Sequence, residues 1–300
     1  MNILVCGGSG FVGSHVADAL SERGHQVRLF DQRSSPYLRT GQEMVLGDML
    51  DPAQVAEAVR GCDVVYNFAG LSDLDDATTK PLDTIQLNIL GNANILEAAR
   101  TAGCRRYVFA STIYVYSHLG GFYRCSKQAA ESYIEEYQRR YGLEFTVLRY
   151  GTLYGPRADA RNSVYRYVQQ AMTQGRIRCS GTGEEMREYL HVRDAAVLSV
   201  DILADAYRNQ HITITGHHPM KFRDLLDMIR EMLGGQVRIE FEAEQNLAHY
   251  THTPYTFVPK IGQKLTTNCY TDLGQGLLEC LHELHPAHQK ETREPLHSAS

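Results

Sequence analysis

The chain has 300 residues, of which 43% are hydrophobic and 22% are charged, as is typical of a soluble globular protein. This length exceeds the usual size of one hydrophobic core, so we expect one large domain and a smaller cap. The net charge of −5 gives no electrostatic reason to expect nucleic acid as a partner. No apolar run approaches the roughly 20 residues that cross a bilayer, so we expect neither a nucleic-acid nor a membrane partner.

The seven cysteines include no CxxC pair, so neither a disulfide framework nor a zinc site is predicted. His282, His285 and His288 recur every three residues, but no Cys or carboxylate framework accompanies them, and we expect no metal. The N-terminus lacks the basic and apolar regions of a signal peptide. These features favour a reducing, cytoplasmic location.

The first two-thirds of the chain alternates short β-branched runs with helical patterns, which is typical of βαβ units. In chain order, strands are predicted at 2–5, 26–30, 44–46, 63–67, 105–110 and 145–149. Helices are predicted at 11–23, from 52 onward, at 81–102 and at 122–141, and Asp51 is the expected cap of the second. The fold class is therefore α/β, with a doubly wound parallel sheet buried on both faces.

The alternation breaks after Gly155-Pro156. A helical pattern at 192–206 is expected to return to the first domain, whereas segments 212–215, 222–233 and 237–241 indicate a small α/β cap. We therefore expect one domain at 1–155 plus about 190–206, and a cap at 156–189 and 207–285. Residues 286–300 are polar with two prolines, and we expect a disordered tail.

A glycine-rich turn follows the first predicted strand, with Gly7, Gly10 and Gly13 in G-x-x-G-x-x-G spacing around Phe11 and Val12. Small residues there let backbone N–H groups approach a pyrophosphate, which the start of the following helix also attracts. A simple tight turn is the alternative, but the order strand, glycines, helix, strand favours a dinucleotide.

The end of the second predicted strand bears on the choice of cofactor. Asp31 can accept hydrogen bonds from both ribose hydroxyls and repels a 2′-phosphate, which favours NAD over NADP. Arg33 could instead accommodate that phosphate. After the third strand, Asp48 beside Met49 could bind the adenine amine, or it could be a turn residue or helix cap.

Tyr123 and Lys127 lie four residues apart near the start of a predicted helix, and therefore on one face. A neighbouring ammonium and an oxidised nicotinamide would favour the tyrosine phenolate and lower its pKa from about 10. A phenolate can take a hydroxyl proton while hydride leaves the same carbon. A hydroxyl of Ser111 or Thr112, at the end of the preceding strand, could share this hydrogen bond or have no role.

In this order, these motifs resemble the extended short-chain dehydrogenase/reductase family, the Rossmann-fold nucleotide-sugar epimerases and dehydratases that include UDP-glucose 4-epimerase. The resemblance covers about residues 2–205. It is carried by the following segments: Gly7–Gly13, Asp31, Asn67–Gly70, Asn88, Ser111–Tyr116, Tyr123–Lys127, Leu148–Tyr150, Tyr154–Pro156 and Arg187–Asp194.

The resemblance implies a role for each matching residue. Thr112, four positions before Tyr116, matches the catalytic Ser/Thr, and Tyr123 and Lys127 match the base and its partner. Arg187 matches an arginine that binds the diphosphate of a sugar nucleotide. The residues expected at the cofactor are Gly7, Gly10, Phe11, Val12, Gly13, Asp31, Arg33, Asp48, Met49, Phe68, Ala69, Gly70, Asn88, Tyr123, Lys127 and Tyr150. Those expected at the substrate are Ser111, Thr112, Thr152 and Arg187.

Three departures from the family pattern bear on the reaction and the substrate. Ile113-Tyr114 stands where family dehydratases carry Asp-Glu, which argues against a 4,6-dehydratase. The segment 116–123 is shorter than usual, and Thr152 replaces the common asparagine, so sugar and diphosphate recognition are expected to differ.

The expected function is an NAD-dependent nucleotide-sugar epimerase that oxidises a sugar hydroxyl transiently to a ketone. The alternatives are a nucleotide-sugar reductase or dehydrogenase and, from another class, a non-catalytic NAD-binding sensor or scaffold. In this family the helices predicted at 81–102 and 122–141 also form a dimer interface, so a homodimer is expected.

Overall fold

The computed structural model describes residues 1–72, 77, 79–242, 253–254, 262–267 and 269–291. The strands are β1 (Asn2–Cys6), β2 (Gln26–Asp31), β3 (Glu43–Leu46), β4 (Val64–Asn67), β5 (Arg106–Thr112), β6 (Glu144–Tyr150), β7 (Thr152–Tyr154), β8 (Arg176–Ser180), β9 (Met186–His191), β10 (Gln210–Ile214), β11 (Pro219–Lys221), β12 (Arg238–Glu242) and β13 (Gly262–Leu265). The principal helices are α1 (Phe11–Glu22), α2 (Pro52–Val59), α3 (Asn92–Thr101), α4 (Gly121–Tyr141), α5 (Ser163–Gln174), α6 (Val192–Asp201), α7 (Phe222–Met232) and α8 (Leu273–Glu291). Shorter helical segments are Pro81–Thr84, Ile85–Gly91, Ile113–Tyr116 and Asp205–Tyr207.

Eight strands form one sheet in the order β13-β10-β6-β5-β4-β1-β2-β3. Every neighbouring pair in this sheet is parallel. The strand order reverses between β1 and β4, and ligands of such sheets bind in the crevice beyond the carboxyl ends at this point. The α/β doubly wound fold predicted from the sequence is confirmed.

The sheet is covered on both faces, which explains its continuous apolar strands. On one face, α1 and α6 pack on alternate strand residues such as Ile3 and Val5. On the other, α2, α3 and α4 pack on residues of the opposite parity, such as Leu4 and Val65. Because helices cover both faces of the sheet, the strands can present polar groups to a ligand at their carboxyl ends, which border the crevice.

Local sequence signals explain the start of α2 but do not predict the π-helical segment before α3. The Asp51 carboxylate accepts hydrogen bonds from Ala53 N and Gln54 N, so the predicted cap of α2 is confirmed. The single helix predicted at 81–102 is interrupted, because Ile85–Gly91 is π-helical before α3 begins. π-Helical turns are rare and occur often at functional sites.

The cap consists of a three-stranded sheet, β11-β9-β7, a two-stranded sheet, β12-β8, and helices α5, α7 and α8 around a core of their own. The sequence pattern places residues 212–215 in the cap, but β10 instead pairs with β6 in the main sheet, where Ile212 and Ile214 are fully buried. A short β-branched strand has the same sequence pattern in either domain, so the pattern could not decide to which domain residues 212–215 belong. Helix α8 extends to Glu291 and thus includes residues 286–291 of the expected tail, whereas 292–300 lie outside the described residues.

Candidate active site

The glycine-rich turn joins β1 to α1 at the crevice and comes close to the loop after β4. Gly7 has φ +76°, and a Cβ on it would lie 2.7 Å from Ala69 N. A Cβ on Gly13 would lie 2.2 Å from the carbonyl oxygen of Gly7. Helix α1 begins at Phe11 without a side-chain cap, and its first residues line the crevice, so their N–H groups are available to a ligand. This backbone cradle fits a pyrophosphate.

Asp31 ends β2 beside this turn. Its carboxylate accepts hydrogen bonds from Ser9 N at 3.1 Å and from Arg33 N at 3.2 Å, which fixes its orientation. Both Asp31 and Arg33 line the cleft. The carboxylate retains acceptor capacity for ribose hydroxyls, since an ionised carboxylate has about four lone-pair sites.

Asp48 has the turn role that the sequence analysis left open. The Asp48 carboxylate accepts a hydrogen bond from Leu50 N at 2.8 Å. The Asp48 N–H in turn donates to Oε1 of Gln54 at 2.9 Å. Met49 lines the cleft, whereas Asp48 is not among the residues that do so.

Asn88 lies in the π-helical segment and holds the loop after β4. Its Oδ1 accepts from Leu71 N at 2.7 Å, and its Nδ2 donates to Leu71 O and to Ser126 Oγ, both at 2.9 Å. Oδ1 would also lie 2.4 Å from a Cβ on Gly70. Asn88 therefore ties the cofactor loop to helix α4 and lies behind the cleft wall rather than on it.

Tyr123, Lys127 and Thr112 meet where the end of β5 faces the start of α4. Lys127 is buried, and its Nζ donates to Ala110 O at 2.8 Å and lies 5.8 Å from the centre of the Tyr123 ring. The Thr112 side chain interacts with Tyr123 and lowers its pKa, and it accepts a hydrogen bond from Tyr114 N at 3.2 Å. The predicted catalytic residues are thus brought together.

The electrostatics of this group differ in part from expectation. Burial raises the pKa of Tyr123 to about 12, although the hydrogen bond with Thr112 opposes this shift. Burial also lowers the pKa of Lys127 to about 8, although Glu131 opposes that shift. The lowered tyrosine pKa expected from the sequence is therefore not produced by the protein groups alone, because desolvation penalises the phenolate.

These elements enclose a continuous cleft with a cavity volume of about 430 Å³. The predicted residues that line it are Gly7, Gly10, Phe11, Val12, Gly13, Asp31, Arg33, Met49, Phe68, Ala69, Gly70, Ser111, Thr112, Tyr123, Lys127 and Tyr150. One cleft thus joins the glycine turn and Asp31 to the tyrosine and lysine. Its shape and donors fit NAD, which would be held by the backbone cradle, Asp31 and Lys127.

Three of the predicted substrate residues make contacts within the protein. The Ser111 hydroxyl donates to Glu131 at 2.5 Å, so its hydrogen is used inside the protein. Thr152 begins β7 and pairs with Tyr189, and Arg187 lies on β9 with Nη1 donating to Met186 O at 3.1 Å. Neither Thr152 nor Arg187 lines the cleft in this structure.

The sequence prediction missed eleven lining residues, namely Phe30, Gln32, Gly47, Ser72, Leu87, Ala110, Gly151, Leu153, Asp159, Arg161 and Asn162. The last three belong to loop 155–162, which crosses from the cap to the Asp31 end of the cleft. Arg157 anchors this loop through a 2.8 Å ion pair with Asp18 and by stacking 4.5 Å over Tyr37. Asn162, which caps α5, was the residue with a detectable sequence signal, an N-cap type before a helical pattern.

No group of three His, Cys, Asp or Glu side chains in the described ranges could hold a metal ion. His282 and His285 are exposed on α8, and the side chain of His288 lies outside the described part. None of the helices within these ranges is both long and apolar enough to cross a membrane.

Comparison with known proteins places the chain in a family. The model of the NAD dependent epimerase/dehydratase family matches residues 3–215. A UDP-N-acetyl-alpha-D-glucosaminuronate decarboxylase of Bacillus cytotoxicus is 27% identical over 263 residues, which cover 79% of this chain and 81% of the relative. A dTDP-glucose 4,6-dehydratase of Mycobacterium tuberculosis is 28% identical over 225 residues, covering 65% and 66%.

The fold is shared with solved enzymes of this kind. The crystal structure of Thermus thermophilus UDP-glucose 4-epimerase in complex with NAD superposes with a TM-score of 0.83 at 23% identity, covering 96% of this chain and 100% of that one. The family match spans the glycine turn, Asp31 and the Thr112, Tyr123 and Lys127 group, and NAD is the family's cofactor. The chain is therefore a member of the NAD dependent epimerase/dehydratase family.

Proposed function

We propose that this chain is a nucleotide-sugar epimerase that oxidises one sugar hydroxyl to a ketone and then reduces it from the other face. The observation that supports this most is the contact of Thr112, Tyr123 and Lys127 at the cleft that fits NAD. NAD supplies the hydride acceptor and donor when it is bound. A sensor or scaffold needs no such acid/base group.

The three side chains have distinct tasks in the proposed reaction. Tyr123 takes the proton of the sugar hydroxyl during oxidation and returns it when the ketone is reduced. Burial raises the pKa of Tyr123, so the phenolate is proposed to form when NAD is bound, stabilised by the positive charges of the oxidised nicotinamide and of Lys127 together. Thr112 donates to the sugar oxygen or to the phenolate and so keeps the two in line.

Epimerisation is favoured over dehydration by the residues after Thr112. Ile113 is buried in a small apolar cluster with Val115 and Tyr116, and Tyr114 packs edge-on against Tyr123 at 6.5 Å. Neither side chain can supply the carboxyl pair that eliminates water in family dehydratases. Loop 155–162 also lines the cleft, which suits a cofactor that stays bound from one turnover to the next.

The proposed substrate is a nucleoside-diphosphate sugar. Arg187 on β9 is the proposed diphosphate ligand, because a guanidinium matches phosphate oxygens in pairs. In this structure Arg187 is half-buried and lies within the three-stranded cap sheet, paired with Met220 on β11. A sugar nucleotide would then extend from Tyr123 toward β9, with Thr152 on the neighbouring strand β7.

A panel of nucleotide sugars, incubated in D₂O without added NAD(H), tests the function. We expect an epimer of unchanged mass and no net change of nicotinamide absorbance, since the hydride removed from the sugar returns to it. Loss of water would show a dehydratase, and stoichiometric absorbance change on adding NAD(H) would show a net oxidoreductase. Deuterium bonded to the inverted carbon of the epimer would refute transient oxidation of that carbon. NAD binding without turnover of any nucleotide sugar would favour the sensor.

A further inference from the structure

Three consecutive residues at the end of β5 each interact with helix α4. Ala110 O accepts a hydrogen bond from Lys127 at 2.8 Å, and Thr112 interacts with Tyr123 and lowers its pKa. Between them, the Ser111 hydroxyl donates to Glu131 at 2.5 Å. The first and third contacts belong to the proposed reaction, whereas Glu131 has no part in it so far.

Glu131 lies in a buried ion pair. Glu131 and Arg149 are both fully buried and are joined by two bonds, Nη2 to Oε2 at 2.7 Å and Nε to Oε1 at 3.1 Å. Arg149 also donates to the Tyr116 hydroxyl at 2.7 Å, and in the sheet it is the register partner of Ser111. Because desolvation makes such pairs poor stabilisers compared with apolar packing, stability alone explains this pair weakly.

The same carboxylate acts on Lys127, one helical turn away. Burial lowers the pKa of Lys127 to about 8, and the negative charge of Glu131 opposes this shift. Tyr123, on the same helix, also lies near Lys127, with its ring centre 5.8 Å from Nζ. Arg149 from β6 and His211 from β10 contact Glu131, with His211 Nε2 at 3.8 Å from Oε2 of Glu131 and 3.1 Å from Glu135.

We propose that Glu131, paired with Arg149, is a positioning residue: it keeps Lys127 charged and fixes the end of β5 against α4. Its effect on turnover rests on the proposed function. Its effect on cofactor binding rests only on Lys127 at the NAD site, so the two can fail separately.

The test is the pH dependence of NADH affinity, followed by NADH fluorescence in a protein that has no Trp. In the parent, affinity should fall as Lys127 loses its proton near pH 8, because a charged donor bonds the ribose more strongly than a neutral amine. In Glu131→Gln the midpoint should move down by roughly one pH unit, because a nearby opposite charge has been removed. Glu136→Gln, the same change on the exposed face of α4, should keep the parental midpoint.

Glu131→Gln leaves Arg149 buried and unpaired, which could prevent folding. The variant Glu131→Gln/Arg149→Met removes both charges, and we expect it to unfold near the parental temperature while its NADH midpoint stays displaced. A parental midpoint in this folded double variant overturns the proposal. So does a double variant that fails to fold, because the pair is then a requirement of the core. If the parent transforms no nucleotide sugar, the proposed function fails while the NADH result still decides this inference.

Discussion

We expect the residues at the end of β2 to decide the choice between NAD and NADP. The Asp31 carboxylate is oriented by Ser9 N and Arg33 N and faces the cleft, where a 2′-phosphate would meet its negative charge. Arg33 and Arg161 line the same part of the cleft and carry the opposite charge, but the Arg161 guanidinium is engaged with Asp159 at 3.0 Å. We therefore weight Asp31 as the decisive group.

The first prediction is that the parent binds NAD(H) at least about tenfold more tightly than NADP(H), since repulsion of a phosphate by a carboxylate costs over 1 kcal/mol at close range. Asp31→Asn keeps the shape and removes the charge, so this preference should shrink. Calorimetric titration of both cofactors measures it. Tighter NADP(H) binding by the parent would transfer the decision to Arg33.

A second prediction concerns Arg187 on β9. Arg187→Ala should weaken nucleotide-sugar binding by roughly 1.5–3 kcal/mol, about 10- to 150-fold in Kd, the scale of a hydrogen bond to a charged group. NAD affinity should stay unchanged, because Arg187 is outside the cleft lining. If affinity for cofactor and sugar nucleotide fall in step, Arg187 is structural and the diphosphate site lies elsewhere.

At the scale of elements, the π-helical segment Ile85–Gly91 connects the two halves of the site. Its Asn88 bonds Leu71 in the loop after β4 and Ser126 on α4, and Ser126 Oγ in turn donates to Tyr123 O at 2.8 Å. A disturbance of the segment should thus reach both the cofactor loop and the catalytic helix.

The third prediction is that Asn88→Ala lowers NAD affinity by roughly tenfold or more and lowers the unfolding temperature, because it leaves buried partners unsatisfied at about 1–3 kcal/mol each. Asn2→Ala is the matched control, since Asn2 also bonds a backbone carbonyl, at 3.1 Å, but at the amino end of β1, opposite the cleft. Calorimetry and thermal unfolding would compare the two. Equal NAD affinity in both variants would contradict the connecting role.

Most elements of the first domain could be predicted because their boundaries depend on local signals. Asp51 and Pro52 mark the start of α2, and β-branched runs with glycine turns mark the strands. The π-helical segment could not be predicted, because the bonds of its Asn88 to Leu71 and Ser126 depend on tertiary structure and leave no local pattern. Likewise, no local pattern shows that β10 pairs with β6.

The site was predictable to a similar limit. The order of the motifs along the chain predicts which residues meet at the cofactor. All four of the main ones line the cleft, namely Gly7, Asp31, Tyr123 and Lys127. Loop 155–162 lines the cleft because tertiary contacts hold it there, above all the ion pair of Arg157 with Asp18 on α1. Such contacts leave no periodic pattern in the sequence, so they could not be predicted.

For the whole molecule, the exposed apolar side chains point to a second copy of the chain. Leu82 and Leu90, in the segment before α3, are 71% and 52% exposed. Ile85 in the same segment, with Phe122 and Tyr133 on α4, is also exposed. Apolar residues concentrated on two neighbouring helical segments are typical of an interface rather than of a solvated surface. We propose a symmetric homodimer through these helices.

The fourth prediction is that the parent sediments as a dimer at micromolar concentration. Leu82→Glu/Leu90→Glu should raise the dimer dissociation constant by about 100-fold or more, because each buried leucine contributes roughly 1.5–3 kcal/mol. NAD affinity should be kept, since neither leucine lines the cleft. A parent that is monomeric throughout would contradict the proposal.

The central claim is that Tyr123 is the acid/base group of the reaction, and Tyr123→Phe tests it most directly. The variant keeps the ring and removes the hydroxyl, so turnover on the substrate found in the panel should fall by about 10²–10⁴-fold. NAD affinity and unfolding temperature should remain near the parental values. Tyr137→Phe is the control, the same change on the same helix, where the hydroxyl bonds Glu97 at 3.0 Å outside the cleft, and it should retain parental turnover. A Tyr123→Phe variant that turns over as fast as this control would contradict the mechanism.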